Sequence, residues 1–216
     1  MHLSNPELWN LIRNNIVIIN LLFSLRLRSG RNVVSKRFLK MCNTFLYFAY
    51  GSNMLMRRIH INNPTAVRKD IGYLKDFRLD FITYSKRWRG CSATIVPTEK
   101  SIVWGVVWEL HNCNMPTLDC QEGVVDKLYF PLTVDIETPR GVVLKCRVYQ
   151  QCNNPDEFLK PHLLPNHRRP SPLYIDTILK GAKQNELPVE YIKFLETIPH
   201  NGYVGDYDIG LPLKEV

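Results

Sequence analysis

The six cysteines of this 216-residue chain include no CxxC pair. Irregularly placed as Cys42, Cys91, Cys113, Cys120, Cys146 and Cys152, they exclude a disulfide scaffold and the usual structural zinc spacing. No stretch reaches the ~20 uninterrupted apolar residues that a membrane-crossing helix needs. The six histidines form no HxH or HExxH pattern, so metal ligation has no spacing to stand on. Walker, GxGxxG and GxSxG loops are all missing, and with them the fingerprints of nucleotide binding and serine hydrolysis. There is no internal repeat.

What the chain does have is a foldable composition, 45% hydrophobic and 22% charged, which suits one globular domain plus an appendage. The net charge of +8 is unevenly spread. Residues 1–44 hold Arg13, Arg26, Arg28, Arg31, Lys36, Arg37 and Lys40 against the single acid Glu7, a net +6 that leaves only +2 for the rest. The body is close to neutral, so nucleic-acid binding by it has little electrostatic support. Only the appendage could bind nucleic acid, with an affinity that falls steeply with salt. The appendage itself reads in three ways: a poorly ordered extension before a start such as Met41, an Arg-rich transit peptide, or a membrane-surface helix around IVIINLLFSL. The reduced cysteines place the body in the cytoplasm, with mitochondrial targeting by residues 1–44 as the competing expectation.

From residue 45 the texture changes. FLYFAY reads as a buried strand bounded by Gly51-Ser52-Asn53, and MLMRRIHI (54–61) as a short helix. YLKDFRLDFITY (73–84) alternates as a half-buried strand, with a slip at Asp76-Phe77 that suggests a bulge. Separate strands are predicted at ATIVP (93–97), SIVWGVVWEL (101–110), KLYFPLTVDIE (127–137) and VVLKCRVYQ (142–150). In SIVWGVVWEL both faces are apolar, marking a central strand in which Gly105 admits a close neighbour. ETPRGV supplies the turn of a hairpin. Lys86-Arg87-Trp88-Arg89 reads as a solvated loop, and the proline-rich 151–170 as a surface loop, lid or bulge. Ser171-Pro172 opens one helix and Pro188 another. The class is α+β: a mixed, mostly antiparallel sheet, curled or closed, with helices in two places.

Two segments carry chemistry. In Tyr47-Phe48-Ala49-Tyr50-Gly51-Ser52-Asn53 a strand enters a turn whose backbone N–H groups lack helical partners and suit a carboxylate or oxyanion; the plainer reading is an ordinary helix start. In Leu118-Asp119-Cys120-Gln121-Glu122-Gly123 a short helix is closed by Gly123. Glu122 then lies in the last turn, against the helix dipole and aromatic neighbours such as Tyr129, which should raise its pKa toward the range general acid–base chemistry needs. The plainer reading there is a solvated glutamate. Cys120 reads as a small core thiol.

Taken together, FLYFAYGSN (45–53), VWGVVWEL (103–110), LDCQEGV (118–124) and PSPLYIDTILKGAKQNELPVEYI (170–192) make the chain resemble the gamma-glutamylcyclotransferase family over residues 45–203. The FAYGSN form points to the branch acting on gamma-glutamyl amino acids. The resemblance implies a small mixed β-barrel surrounded by helices, a cyclotransferase domain over 45–216, and a cofactor-free, metal-free reaction on a small-molecule substrate. In that reaction the α-amino group of a γ-glutamyl unit attacks its own γ-carbonyl, giving 5-oxoproline and a free amino acid. Carried over by the resemblance, Glu122 is the catalytic base and acid. Tyr47, Phe48, Ala49, Tyr50, Gly51, Ser52 and Asn53 form the substrate loop, and Tyr129 and Tyr174 are further binding residues. Family members are often homodimers. Cys120 departs from the acidic residue the family often has there, removing one like charge from beside Glu122. The alternative is a non-catalytic ligand-binding module on the same barrel, which would bind without turnover.

Overall fold

The computed structural model describes residues 43–207; the N-terminal extension and its alternative readings lie outside the described residues. Five strands close a barrel: β1 (Thr44–Ala49), β2 (Val67–Ser85), β3 (Gly90–His111), β4 (Tyr129–Glu137) and β5 (Val143–Gln151), in the order β1-β3-β2-β4-β5. All neighbours are antiparallel except β5 and β1, which close the barrel in parallel through Tyr47 and Arg147. Closure removes the unpaired sheet edges that an open sheet of this size would leave.

The long β2–β3 hairpin differs from the sequence reading in one respect. The two strands expected at 93–97 and 101–110 are one, β3, and the apparent break between them is a bulge. Phe77 pairs with Pro97 and Lys75 with Ile102, so residues 98–101 face the single residue Asp76. Asp76 and Lys100 take positive φ values of 59° and 63°, and the Asp76 carboxylate accepts from the Lys100 backbone N–H at 2.9 Å. The slip expected at Asp76-Phe77 is thus one half of a bulge whose other half reads, in sequence, as a strand end.

β3 is central, flanked by β1 and β2, and Val103, Val106, Val107, Trp108 and Leu110 along it are fully buried. A Cβ on Gly105 would lie 2.3 Å from the Ala49 carbonyl oxygen and 2.8 Å from the Phe48 ring, so glycine here lets β1 approach closely. The β4–β5 hairpin turns through residues 138–142, where Thr138 N–H donates to the Val142 carbonyl.

Among the described residues four α-helices sit outside the strands: α1 (Met56–Ile59), α2 (Met115–Gln121), α3 (Pro172–Gln184) and α4 (Val189–Glu196). A 3₁₀ turn, Ser52–Met54, precedes α1, so the helix expected over 54–61 is shorter and broken. Ser171 caps α3 by accepting the Tyr174 N–H, with Pro172 in the first turn, as the sequence suggested. Asn185, at the end of α3, donates to the Met54 carbonyl at 2.8 Å and ties the helix to that turn.

One loop reading needs correction, and the 151–170 surface loop is held more tightly than its composition suggests. Trp88 is not in a solvated loop: it is buried, 4.8 Å from the Tyr174 ring and beneath the Arg58 guanidinium. Residues 152–170 are pinned to the barrel. Arg78 donates to the Pro155 carbonyl at 3.1 Å, Arg168 to Asp80 at 2.5 Å, and Arg169 accepts the Cys91 N–H through its carbonyl.

Candidate active site

The site forms where the end of β1, the 3₁₀ turn, α2, β4, β5 and α3 converge. Its walls are Tyr47, Tyr50, Gly51, Ser52, Asn53, Ala93, Glu122, Tyr129, Tyr149 and Tyr174, around a space of about 330 Å³ partly open to solvent. Five tyrosines and one carboxylate line a small cavity.

Glu122 owes its position to the way α2 ends. Gly123, with φ +65°, donates to the Cys120 carbonyl, and Val124 donates to that of Asp119. These two bonds are a Schellman closure. It leaves Glu122 as the C-terminal cap and turns its side chain toward Asn53. The Asn53 amide donates to Glu122 Oε1 at 3.0 Å and to the Tyr47 hydroxyl at 3.1 Å. Asn53 is itself held on two sides, its side-chain carbonyl accepting from Gln121 at 3.0 Å and its backbone carbonyl from the Trp108 indole at 3.0 Å. A fully buried tryptophan thus anchors the residue that meets Glu122.

The Glu122 carboxyl is pushed up to about 7, chiefly because the pocket walls remove it from water. The Arg58 cation and the Asn53 hydrogen bond oppose this, while the Asp119 carboxylate, one helical turn earlier, adds to it. The expected rise is there, but burial rather than the helix dipole is its main cause. The like charge that Cys120 does not carry is supplied by Asp119. Cys120 is exposed rather than a core thiol, because its position on α2 faces away from the barrel.

Burial also raises the Tyr47, Tyr50 and Tyr129 hydroxyls well above their ordinary value, and Tyr174 to about 12. All four are therefore neutral hydroxyls at working pH. Tyr129 donates to the Ala93 carbonyl at 2.8 Å and accepts from Gln151 at 2.9 Å; Tyr174 accepts the Ala93 N–H at 3.1 Å; Tyr50 donates to the Tyr149 carbonyl at 2.5 Å.

Of the residues singled out in the sequence, the fold brings Glu122, Tyr47, Tyr50, Gly51, Ser52, Asn53, Tyr129 and Tyr174 together. Phe48 and Ala49 do not line the cavity. Both are fully buried in the barrel, the Phe48 ring against Gly105, so their contribution is to hold the turn in place. Sequence reasoning missed Tyr149, Arg58 and Asp119. Two signals could have found Asp119 and Tyr149: Asp119 is three residues before Glu122 on one helix, and Arg147 and Tyr149 alternate onto one face of a strand. Among the described residues no cluster of His, Cys, Asp and Glu side chains could hold a metal ion.

Comparison with known proteins agrees with this arrangement. Residues 102–195 match the model of the AIG2-like family. Over 166 residues the chain is 43% identical to the gamma-glutamylcyclotransferase of Bos taurus and 40% identical to that of Homo sapiens. Each match covers 75% of this chain and 82% of the relative. A solved gamma-glutamyl cyclotransferase superposes with a TM-score of 0.69 at 39% identity, covering 76% of this chain and 94% of the other. The fold and site define an enzyme that works on a small molecule inside a closed barrel. The chain belongs to the gamma-glutamylcyclotransferase family.

Proposed function

We propose that this protein converts a γ-glutamyl amino acid or peptide into 5-oxoproline and a free amino acid, with Glu122 moving the proton. The observation that carries this is a carboxyl with a pKa of about 7, fixed by Asn53 inside a small polar cavity. A group poised near neutrality can accept a proton in one step and return it in the next.

The reaction needs little else. Glu122 takes a proton from the substrate α-ammonium, and the freed amine attacks the γ-carbonyl carbon of the same γ-glutamyl unit. The new C–N bond closes a five-membered ring, and negative charge passes to the carbonyl oxygen. In this reading the backbone N–H groups of the 51–53 turn receive that charge. Collapse breaks the original amide C–N bond: Glu122 hands its proton to the departing nitrogen, and the ring nitrogen gives up its second proton, through the same carboxylate, to the released amine, which leaves as an ammonium. The nucleophile belongs to the substrate, so the cavity's task is to hold it folded for attack. Tyr47, Tyr50, Tyr129 and Tyr174 supply neutral hydroxyls and ring faces for that purpose. The overall change is an amide cleavage by internal acyl transfer, of lyase or transferase type.

The FAYGSN loop favours γ-glutamyl amino acids over intact glutathione. We place the enzyme in the cytoplasm, in keeping with the free thiols of Cys91, Cys113, Cys120, Cys146 and Cys152, and as a homodimer, as the family resemblance implies; mitochondrial import would require residues 1–44. The extension at 1–44 and the catalytic body at 45–216 are separable parts in this reading.

The test is 5-oxoproline release from γ-glutamyl-alanine, with glutathione run beside it and Glu122→Gln as control. Turnover of the dipeptide that drops ~100-fold or more in the variant is the expected result, in line with loss of a general base. An active Glu122→Gln enzyme overturns the mechanism. A folded wild-type protein that binds the dipeptide and releases nothing leaves a binding module.

A further inference from the structure

Tyr149 belongs to two clusters at once. Its ring lines the cavity and meets Tyr47 edge-on, with centroids 5.9 Å apart, and its carbonyl accepts from Tyr50. Its hydroxyl points the other way, donating to Asp119 Oδ1 on α2. Arg147, two residues earlier on the same face of β5, donates to that oxygen at 2.6 Å and to the Tyr149 hydroxyl at 2.8 Å. The Arg147 guanidinium also lies over the Tyr149 ring, 5.1 Å from its centroid. The three side chains therefore form a closed triangle of hydrogen bonds. The Asp119 and Arg147 side chains are 30% and 21% exposed, so water screens this pair only partly.

Asp119 is also the residue whose carbonyl closes the α2 terminus by accepting the Val124 N–H. A clamp on Asp119 is thus a clamp on the turn that aims Glu122. The Tyr149 hydroxyl is committed to this clamp and is not free to bind substrate. We propose that Asp119, Arg147 and Tyr149 form a positioning unit that locks the Glu122 turn onto β5 and sets the net charge Glu122 faces from that side. This rests on the reading of Glu122 as the base.

Six titratable groups surround Glu122. Asp119 comes from its own helix, Arg58 from α1, Tyr47 and Tyr50 from β1 and its end, Tyr129 from β4 and Tyr174 from α3. Four are neutral tyrosines and Arg58 is a fixed cation, so among the described residues Asp119 is the one negative neighbour, and Arg147 is paired directly to it. The unit therefore makes a signed prediction. Removing the Asp119 charge should make Glu122 easier to ionise; removing Arg147 exposes the Asp119 charge and should make it harder.

The experiment measures the pH dependence of kcat/KM on γ-glutamyl-alanine and, separately, the titration of the Glu122 carboxyl carbon by ¹³C NMR, with Glu122→Gln identifying its resonance. In Asp119→Asn both midpoints should move down by about half a pH unit or more, and in Arg147→Met both should move up, as charges within a few ångströms act on a carboxyl. Arg147→Lys keeps the charge and should leave the midpoint within a few tenths of a pH unit of wild type, which, set against the fall in Asp119→Asn, preserves the test if Arg147→Met does not fold. Tyr149→Phe keeps both charges, so its midpoint should stay near wild type while kcat falls several-fold from a looser turn. NMR midpoints that do not move, or that move the same way in Asp119→Asn and Arg147→Met, overturn the proposal. NMR midpoints that separate as expected while the rate profiles stay fixed uphold the positioning unit and refute Glu122 as the base.

Discussion

Two carboxylates in this barrel have been drawn away from bulk water in opposite manners. Asp80 is buried on β2 and saturated: Arg78 donates to it at 3.0 Å, Arg168 at 2.5 Å, and the Phe81 N–H at 2.7 Å. The arginines are occupied in turn by Thr98, by the carbonyls of Pro155 and Glu157, and by that of Phe81. Glu122 receives one hydrogen bond, from a neutral amide, and a cation that acts on it only through space. The first arrangement ties the carboxylate into a closed set of partners and fastens the 152–170 loop to the sheet. The second leaves the charged and neutral forms close in energy. Desolvation without compensation makes an acid–base group; desolvation with full compensation makes a rivet.

That contrast can be broken from either side. The largest expected effect is at the rivet. Arg168→Leu leaves Asp80 with one arginine and should cost about 3–5 kcal/mol of stability, as removal of one partner from a buried ion pair does. Urea unfolding measures it, and kcat per folded molecule should be nearly unchanged, since the loop it fastens does not line the cavity. A loss of activity at full folding would show that the loop acts on the site.

Next comes Glu122→Gln, for which the ~100-fold loss of turnover corresponds to about 2.7 kcal/mol of transition-state stabilisation. Circular dichroism and the unfolding midpoint should show an intact fold, because the glutamine can still accept from Asn53.

A smaller effect is expected at Gly123, in the turn that ends α2. Gly123→Ala forces a positive φ on a residue with a Cβ and brings that atom to 2.7 Å from Leu128. It should cost about 1–3 kcal/mol and lower kcat, since the same turn aims Glu122. Equal activity at reduced stability would separate the two roles.

The last expected effect is a pH-dependent gain. Glu122 has a folded-state pKa of about 7, above its ordinary value of 4.5. The folded protein thus holds that proton more tightly than the unfolded chain. The associated stability is complete below about pH 4.5 and is lost as pH rises through 7. Glu122→Gln removes this dependence, so its thermal midpoint should exceed that of wild type at pH 8, with the difference closing toward pH 5. Across the same range, kcat/KM of the wild type should rise through about pH 7 as the base form appears.

Much of this molecule was legible from local pattern. Alternation and apolar runs marked part of every strand, though not the extent of β2 or the unity of β3, because a pleated, half-buried surface imposes a period of two on its residues. Ser171-Pro172 and Gly123 marked a helix start and a helix end, because caps answer to backbone groups only a few bonds away. The bulge at Asp76 was half visible for the same reason: its own strand carries the slip, while the partner half at 98–101 reads as an ordinary strand end until the two are paired. The site was visible as two segments, 47–53 and 118–123, with Glu122 and Asn53 both in view.

What those segments do to each other belongs to the tertiary structure. Asn53 reaches Glu122 across 69 positions, and nothing in the spacing of either segment encodes that contact. Arg58 and Asp119 act on the Glu122 charge from α1 and α2, Tyr149 holds Asp119 from β5, and Trp88 turned from a loop residue into packing beneath Arg58. The amino-acid sequence by itself determined which residues are strands, which glycine ends the helix, and that an acid stands next to it. Only the closed barrel decided that this acid should be desolvated, held by one amide and left near neutrality. Secondary structure answers to neighbours along the chain, whereas a pKa answers to every charge and every water excluded in space.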